Sequence, residues 1–138
     1  MGKMIYKTSA KAEGGREGKV KSEDGVLDLQ VAVPESMGGS GGAFTNPEQL
    51  FAAGYAACFD SALNYVAKAA DKEIESKTTA TVGLNAQSAT DLDLEVTLDI
   101  EISGVDKDDA QKLLEKAHAT CPYSKALDGN VDVTVNLK

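Results

Sequence analysis

The sequence predicts an α+β fold, with antiparallel sheets packed around one long buried central helix. Three observations predict it. Leu50 to Phe59 is apolar on every side and sits behind a strong helix start at Asn46. Leu92 to Ser103 alternates apolar and polar residues without a break. The other alternating runs are short and separated by glycine turns, with no strand–helix–strand repeat. The 138 residues are expected to form one domain, 1–138.

The first third reads as three strands, Met4 to Ala12, Lys19 to Ser22 and Leu27 to Val33, with turns at Gly14-Gly15 and Asp24-Gly25. Pro34 to Gly42 is a glycine-rich loop without the flanking pattern of a phosphate cradle. Asn46 suits an N-cap, Pro47 the first helical position, and Gln49 can complete a capping box. The helix should run from Pro47 to about Ala70. Lys77 to Ala86 alternates in part. In the strand Leu92 to Ser103, Leu92, Leu94, Val96, Leu98, Ile100 and Ile102 share one face, as in a half-solvated antiparallel sheet. Asp106 caps a second helix, Lys107 to Thr120, which Cys121-Pro122 ends because the residue before proline is pushed out of the helical region. Val131 to Leu137 alternates as the last strand.

Only 5% of residues are aromatic and none is Trp, so small apolar residues must do much of the packing. A helix apolar on all sides is hard for one small domain to cover. The simplest solution is a homodimer in which this helix packs against its twin.

A formal net charge of −8 argues against nucleic acid and anionic membrane surfaces as partners. The N-terminal residues carry no apolar signal segment, and Tyr6 breaks the myristoylation pattern. The longest apolar run is too short to span a bilayer. A cytoplasmic location is expected.

The chemistry turns on two cysteines, Cys58 and Cys121. By count alone they read as two unrelated buried thiols, and a permanent disulfide is not expected in a cytosol. Cys58 lies mid-helix among apolar residues, where a thiol is inert unless a cation stands near. It is too far from Asn46 to use the helix dipole. The single arginine, Arg16, follows two glycines in a turn that can present it to a site, although an exposed turn residue is the plainer reading. Glu48 favours the helix dipole and can also hold an arginine in a planar fork. Cys121 sits at a helix C-terminus, where the dipole disfavours a thiolate, so it is the poorer nucleophile and the better resolving partner. His118 is most simply a helix residue, with a Cys–His pair as the alternative. A zinc site from Cys58, Cys121 and His118 lacks a fourth ligand. No metal is expected.

Asn46-Pro-Glu-Gln-Leu-Phe-Ala-Ala-Gly-Tyr-Ala-Ala-Cys58-Phe59 resembles the signature helix of organic hydroperoxide resistance proteins, within the osmotically inducible protein C superfamily. Cys121-Pro-Tyr-Ser124 with Gly129-Asn-Val-Asp132 resembles that family's second-cysteine segment. Gly14-Gly15-Arg16 and Ser22 to Asp28 match its N-terminal pattern. The resemblance implies an intertwined homodimer with sites at the subunit interface. It implies that Cys58 is the peroxidatic cysteine, that Cys121 resolves it as a disulfide, and that Arg16 and Glu48 form the activating pair. It further implies reduction by dihydrolipoyl groups of lipoylated proteins and no metal, haem or other cofactor. Phe51, Tyr55, Phe59 and Tyr123 are candidate pocket residues favouring alkyl or fatty-acyl hydroperoxides; each, taken singly, reads as core packing.

Three departures stand out. Asp60-Ser61 follows Cys58-Phe59 where the family continues apolar, Lys125 replaces a common Asn, and Asn85 to Asp93 lacks an expected Gly-Phe-Gly segment. Two alternatives remain: a general stress peroxidase of the sister subfamily, and a non-catalytic module that binds an apolar ligand. One geometric expectation follows for the peroxidase reading. Ten residues separate Glu48 from Cys58, roughly 15 Å along a straight helix with the side chains about 80° apart. Either the helix breaks near Gly54, or the Glu48 that serves a given Cys58 comes from the partner subunit.

Overall fold

The computed structural model of the chain describes residues 2–138. It divides into two compact units, Met1–Leu50 and Phe51–Lys138, bridged in sequence by one helix.

The first unit is a three-stranded antiparallel meander of β1 (Ala10–Glu13), β2 (Lys19–Ser22) and β3 (Asp28–Gln30). β2 has the predicted ends, but β1 is shorter than the predicted 4–12. Its register reaches Ala10↔Ser22, where β2 turns away toward β3 and the partner runs out. Met4, Ile5 and Tyr6 are left outside the strand and strongly exposed. β3 is also shorter than predicted. Val31 leaves it to form a single parallel bridge with Thr45, and both Val31 and Ala32 are buried.

Between β1 and β2 the chain makes a 3-10 turn, Gly15–Glu17. Gly14 and Gly15 hold φ values of 78° and 59°, and a Cβ on Gly18 would collide with the Glu13 carbonyl oxygen. Glycine is therefore required on both sides of Arg16.

Helix α1 spans Pro47–Ala69 without interruption, so the predicted alternative of a break at Gly54 is not seen. Asn46 Oδ1 accepts from the Gln49 N–H at 2.8 Å, as an N-cap should. The capping box is not completed, because the Gln49 side chain instead accepts from the Thr45 hydroxyl at 2.9 Å. The expectation of burial on every side is also corrected for the single chain. Tyr55, Phe59, Ala62, Leu63, Val66 and Ala67 are buried, whereas Ala53, Ala57, Ser61 and Tyr65, spaced four apart on another face, are exposed.

In the second unit, β4 (Glu75–Ser88) and β5 (Asp91–Ser103) form a long antiparallel hairpin. Its tip occupies the divergent 85–93 stretch and carries an irregularity between Ala86 and Ser88. α2 (Lys107–Thr120) has the predicted ends, and Asp106 Oδ1 accepts from the Asp109 N–H at 2.8 Å. β6 (Val133–Leu137) then pairs with β5 in parallel. This sheet is therefore mixed, whereas antiparallel pairing was predicted throughout. The helices between β5 and β6 carry the chain back to the starting edge, and that return permits only a parallel pair. β6 starts two residues late because the Val131 N–H bonds Leu127 in a turn.

The core of this unit joins the inner face of α1 to Val96, Leu98 and Ile100 of β5 and to Leu113, Leu114 and Ala117 of α2. The predicted alternation of β5 holds, but Leu92, toward the hairpin tip, is 48% exposed. Leu98→Ala should therefore cost about 2–5 kcal/mol, while Leu92→Ala should stay within about 0.5 kcal/mol of the parent. Urea midpoints compared at constant m-value check this.

Candidate active site

Each cysteine owes its position to its own stretch of backbone. Cys58 rides mid-way along α1, one turn after Tyr55. Cys121 closes α2, its N–H bonding the Ala117 carbonyl, and also opens a short helix, α3 (Pro122–Leu127). Sequence reasoning took Pro122 only as a stop. Pro122 itself carries the signal for α3, since proline favours the first helical position, as at Pro47. Cys121 therefore stands at the negative end of one helix and the positive end of another, so the α2 dipole alone does not disfavour its thiolate.

The two sulfurs meet. Cys121 Sγ donates to Cys58 Sγ at 3.7 Å, and both thiols are free. Cys121 is fully buried, whereas Cys58 is half-buried and the more accessible of the two. Burial pushes the Cys58 thiol above its ordinary value, and the adjoining Cys121 adds to this through its hydrogen bond and charge. The Tyr123 backbone N–H, from the first turn of α3, bonds the Cys58 sulfur and acts in the opposite direction. No cation figures among these influences. The amide donor was not anticipated from the sequence, because α3 was not.

Arg16 and Glu48 also come together, within the first unit. Arg16 Nη1 and Nη2 donate to Glu48 Oε1 and Oε2 at 2.6 and 3.0 Å, the planar two-pronged geometry of a guanidinium–carboxylate fork. The hydrogen bond to Glu48 raises the Arg16 guanidinium above its ordinary value, opposed in part by burial. Arg16 is therefore not a free turn residue.

Of the four candidate pocket aromatics, three cluster. Phe51 and Tyr123 stack at 6.4 Å with 13° between their planes, and Tyr55 stands 6.0 Å from Phe51 and 5.8 Å from Tyr123. Gly54 faces this group: a Cβ there would come 3.4 Å from Tyr123 Oη, so glycine serves ring approach and not a helix break. Phe59 is different. It is fully buried and lies against the His118 ring at 6.4 Å, so it belongs with the core.

His118 does not join the sulfurs. Its Nδ1 bonds Ser124 Oγ at 2.9 Å, and Ser124 Oγ bonds the Tyr55 hydroxyl at 2.6 Å. Asp60, the polar residue after the Cys58-Phe59 pair, turns away to β4. There it accepts from Ser76 and Thr78 at 2.8 and 2.9 Å, which explains why β4 presents polar residues on its inner face. Among the described residues no group of three or more His, Cys, Asp or Glu side chains is arranged to hold a metal. No helix among them is long and apolar enough to cross a membrane.

Comparison with known proteins gives a consistent result. The OsmC-like protein family model matches residues 39–136. The organic hydroperoxide resistance protein OhrA of Bacillus subtilis is 47% identical, over 99% of both chains. An organic hydroperoxide resistance protein of Xanthomonas axonopodis pv. citri is 44% identical over 98% of this chain and 96% of its own. Among solved structures, an organic hydroperoxide resistance protein of Legionella pneumophila superposes with a TM-score of 0.94 at 46% identity, covering 99% of both chains. OhrB of Bacillus subtilis superposes with a TM-score of 0.88 at 44% identity, covering 98% of this chain and 100% of its own. With its two cysteines face to face and organic hydroperoxide resistance proteins matching it along nearly its whole length, the chain belongs to the OsmC-like family, among the organic hydroperoxide resistance proteins.

Proposed function

We propose that this protein is a cytoplasmic peroxidase that reduces organic hydroperoxides to alcohols, using Cys58 and Cys121 as its redox couple. The observation that carries the reading is the 3.7 Å approach of the two free sulfurs in a chain whose full-length relatives are organic hydroperoxide resistance proteins. The half-buried thiol, Cys58, is the one a substrate can reach, and the fully buried Cys121 is the one placed to finish the reaction.

In the first step the Cys58 thiolate attacks one peroxide oxygen. An S–O bond forms, the O–O bond breaks, and the departing alkoxide takes a proton to become the alcohol. Cys58 is left as the sulfenic acid. In the second step Cys121 attacks that sulfur. The S–S bond forms, the S–O bond breaks, and the hydroxyl leaves with the thiol proton as water. A dithiol then reduces the disulfide by two exchanges; a dihydrolipoyl group of a lipoylated protein is the proposed donor. Phe51, Tyr55 and Tyr123 supply an apolar wall beside Cys58 that suits an alkyl or fatty-acyl chain better than hydrogen peroxide. Phe59, part of the core, is left out of that wall.

Burial raises Cys58, so a thiolate needs a positive charge from elsewhere. Arg16 is the proposed source, and its two-pronged bond to Glu48 makes the two residues one unit. Because α1 is unbroken, Glu48 and Cys58 of one chain are separated by roughly 15 Å of helix rise. The pair serving a given Cys58 is therefore proposed to come from the partner subunit of a homodimer. The exposed small residues Ala53 and Ala57 on the outer face of α1 support such pairing.

Two predictions follow from this reading. Cys58→Ser should abolish peroxide consumption and sulfenic acid formation, while Cys121→Ser should consume one peroxide per subunit and stop as the sulfenic acid. Mass spectrometry after one turnover checks the roles; a one-equivalent reaction in Cys58→Ser that is absent in Cys121→Ser would reverse them. Separately, mixing inactive Glu48→Ala and Cys58→Ser subunits should restore activity through one intact site per mixed dimer. If mixed dimers form and stay inactive while wild-type dimers handled in the same way recover, each site is completed within one chain.

A further inference from the structure

Ser124 is the only polar side chain, apart from the hydroxyl of Tyr55, in the buried set among the described residues. An alanine would fill that space without the roughly 1–3 kcal/mol cost of desolvating a hydroxyl that loses its partners. Ser124 keeps two partners, the Tyr55 hydroxyl at 2.6 Å and His118 Nδ1 at 2.9 Å.

The places of these three residues along the chain matter more than the bonds alone. His118 stands one turn before Cys121 on α2, and Ser124 one turn after it on α3. Their bond spans the junction where Cys121, with φ −62° and ψ 121°, turns the chain from one helix into the next. Tyr55 stands one turn before Cys58 on α1. The Tyr55–Ser124 bond and the Cys58–Cys121 contact therefore tie the same two segments together one turn apart, and His118 braces the second segment from behind. Phe59, fully buried against the His118 ring, limits how far that ring can swing.

From this arrangement we propose that His118, Ser124 and Tyr55 are positioning residues for disulfide formation between Cys58 and Cys121. The inference rests on the two-cysteine peroxidase reading. The sulfurs stand 3.7 Å apart when reduced and must close to about 2.05 Å in the disulfide, with a dihedral near 90°. Cys121 can make that approach only as its segment allows, and the hydrogen-bonded clamp sets where the segment stands. Attack of the peroxide on Cys58 needs nothing from the bond between His118 and Ser124. Its loss should therefore separate the two steps: sulfenic acid forms at an unchanged rate, and its conversion to the disulfide, with release of water, slows. A sulfenic acid that waits is exposed to a second peroxide, which oxidises it to the sulfinic acid.

The test uses reduced full-length protein and cumene hydroperoxide, with rapid quenching and mass spectrometry of Cys58 as sulfenic acid, sulfinic acid and disulfide. Ser124→Ala and His118→Leu should form the sulfenic acid as fast as wild type. Disulfide formation should slow roughly tenfold or more, with sulfinic acid accumulating at peroxide levels that wild type survives. His118→Asn, which places an amide near the position of Nδ1, should restore most of the disulfide rate that His118→Leu loses. Should Ser124→Ala not fold, the two His118 variants decide. Variants that resolve at the wild-type rate, that slow both steps alike, or in which Asn does no better than Leu at position 118, would overturn the proposal while leaving the peroxidase reading intact. A wild-type protein that forms neither sulfenic acid nor disulfide would remove both.

Discussion

The contact between Cys58 and Cys121 constrains everything around it. Sixty-three positions separate the two residues in sequence, yet their sulfurs lie 3.7 Å apart. Three pieces of backbone have to agree for this to happen. α1 must lay its Tyr55–Phe59–Leu63 face on β5 and α2. α2 must end at a proline boundary so that Cys121 turns inward. α3 must start at once, so that the Tyr123 amide and the Ser124 hydroxyl face α1. The apolar core supplies the general attraction, but it is not directional. The short polar contacts at the α2–α3 junction set the alignment.

The same burial that aligns the sulfurs works against the chemistry proposed for them. Desolvation raises the Cys58 thiol, and a protonated thiol is a poor nucleophile. The only groups of the second unit found to shift it are Cys121, which raises it further, and the Tyr123 amide, which offsets part of the rise. The first unit holds Arg16 in a fork with Glu48, fixed by a glycine turn on one side and a helix start on the other. In the proposed dimer these are complementary: one holds the thiols with no cation acting on Cys58, and the other holds the arginine and no thiol.

Much of this could be read from the sequence where the signal was local. The N-caps at Asn46 and Asp106, the extent of α1 and α2, and the alternation of β5 follow from residue spacing alone. What the sequence left unread depends on pairing at a distance. β1 and β3 shorten because their neighbour ends, which no alternation pattern records. The parallel pairing of β6 follows from where α2 and α3 return the chain. At the site, the cysteines, Arg16 and Glu48 were legible as candidates by residue type and resemblance. The Ser124 link between Tyr55 and His118 was not, since it joins residues 69 and 6 positions apart, and only one of those intervals lies within reach of a local motif. Asp60 looked like a departure in the pocket. It proves to be a fastener between α1 and β4.

The central claim is that the paired thiols reduce organic hydroperoxides and are regenerated by a dithiol. Steady-state consumption of cumene hydroperoxide by the purified protein with dihydrolipoamide tests it most directly, with hydrogen peroxide as the comparison substrate. The account predicts many turnovers per subunit, loss of turnover without the dithiol, and a higher kcat/KM for the organic peroxide. No turnover, with both cysteines still reduced after exposure to peroxide, would contradict it.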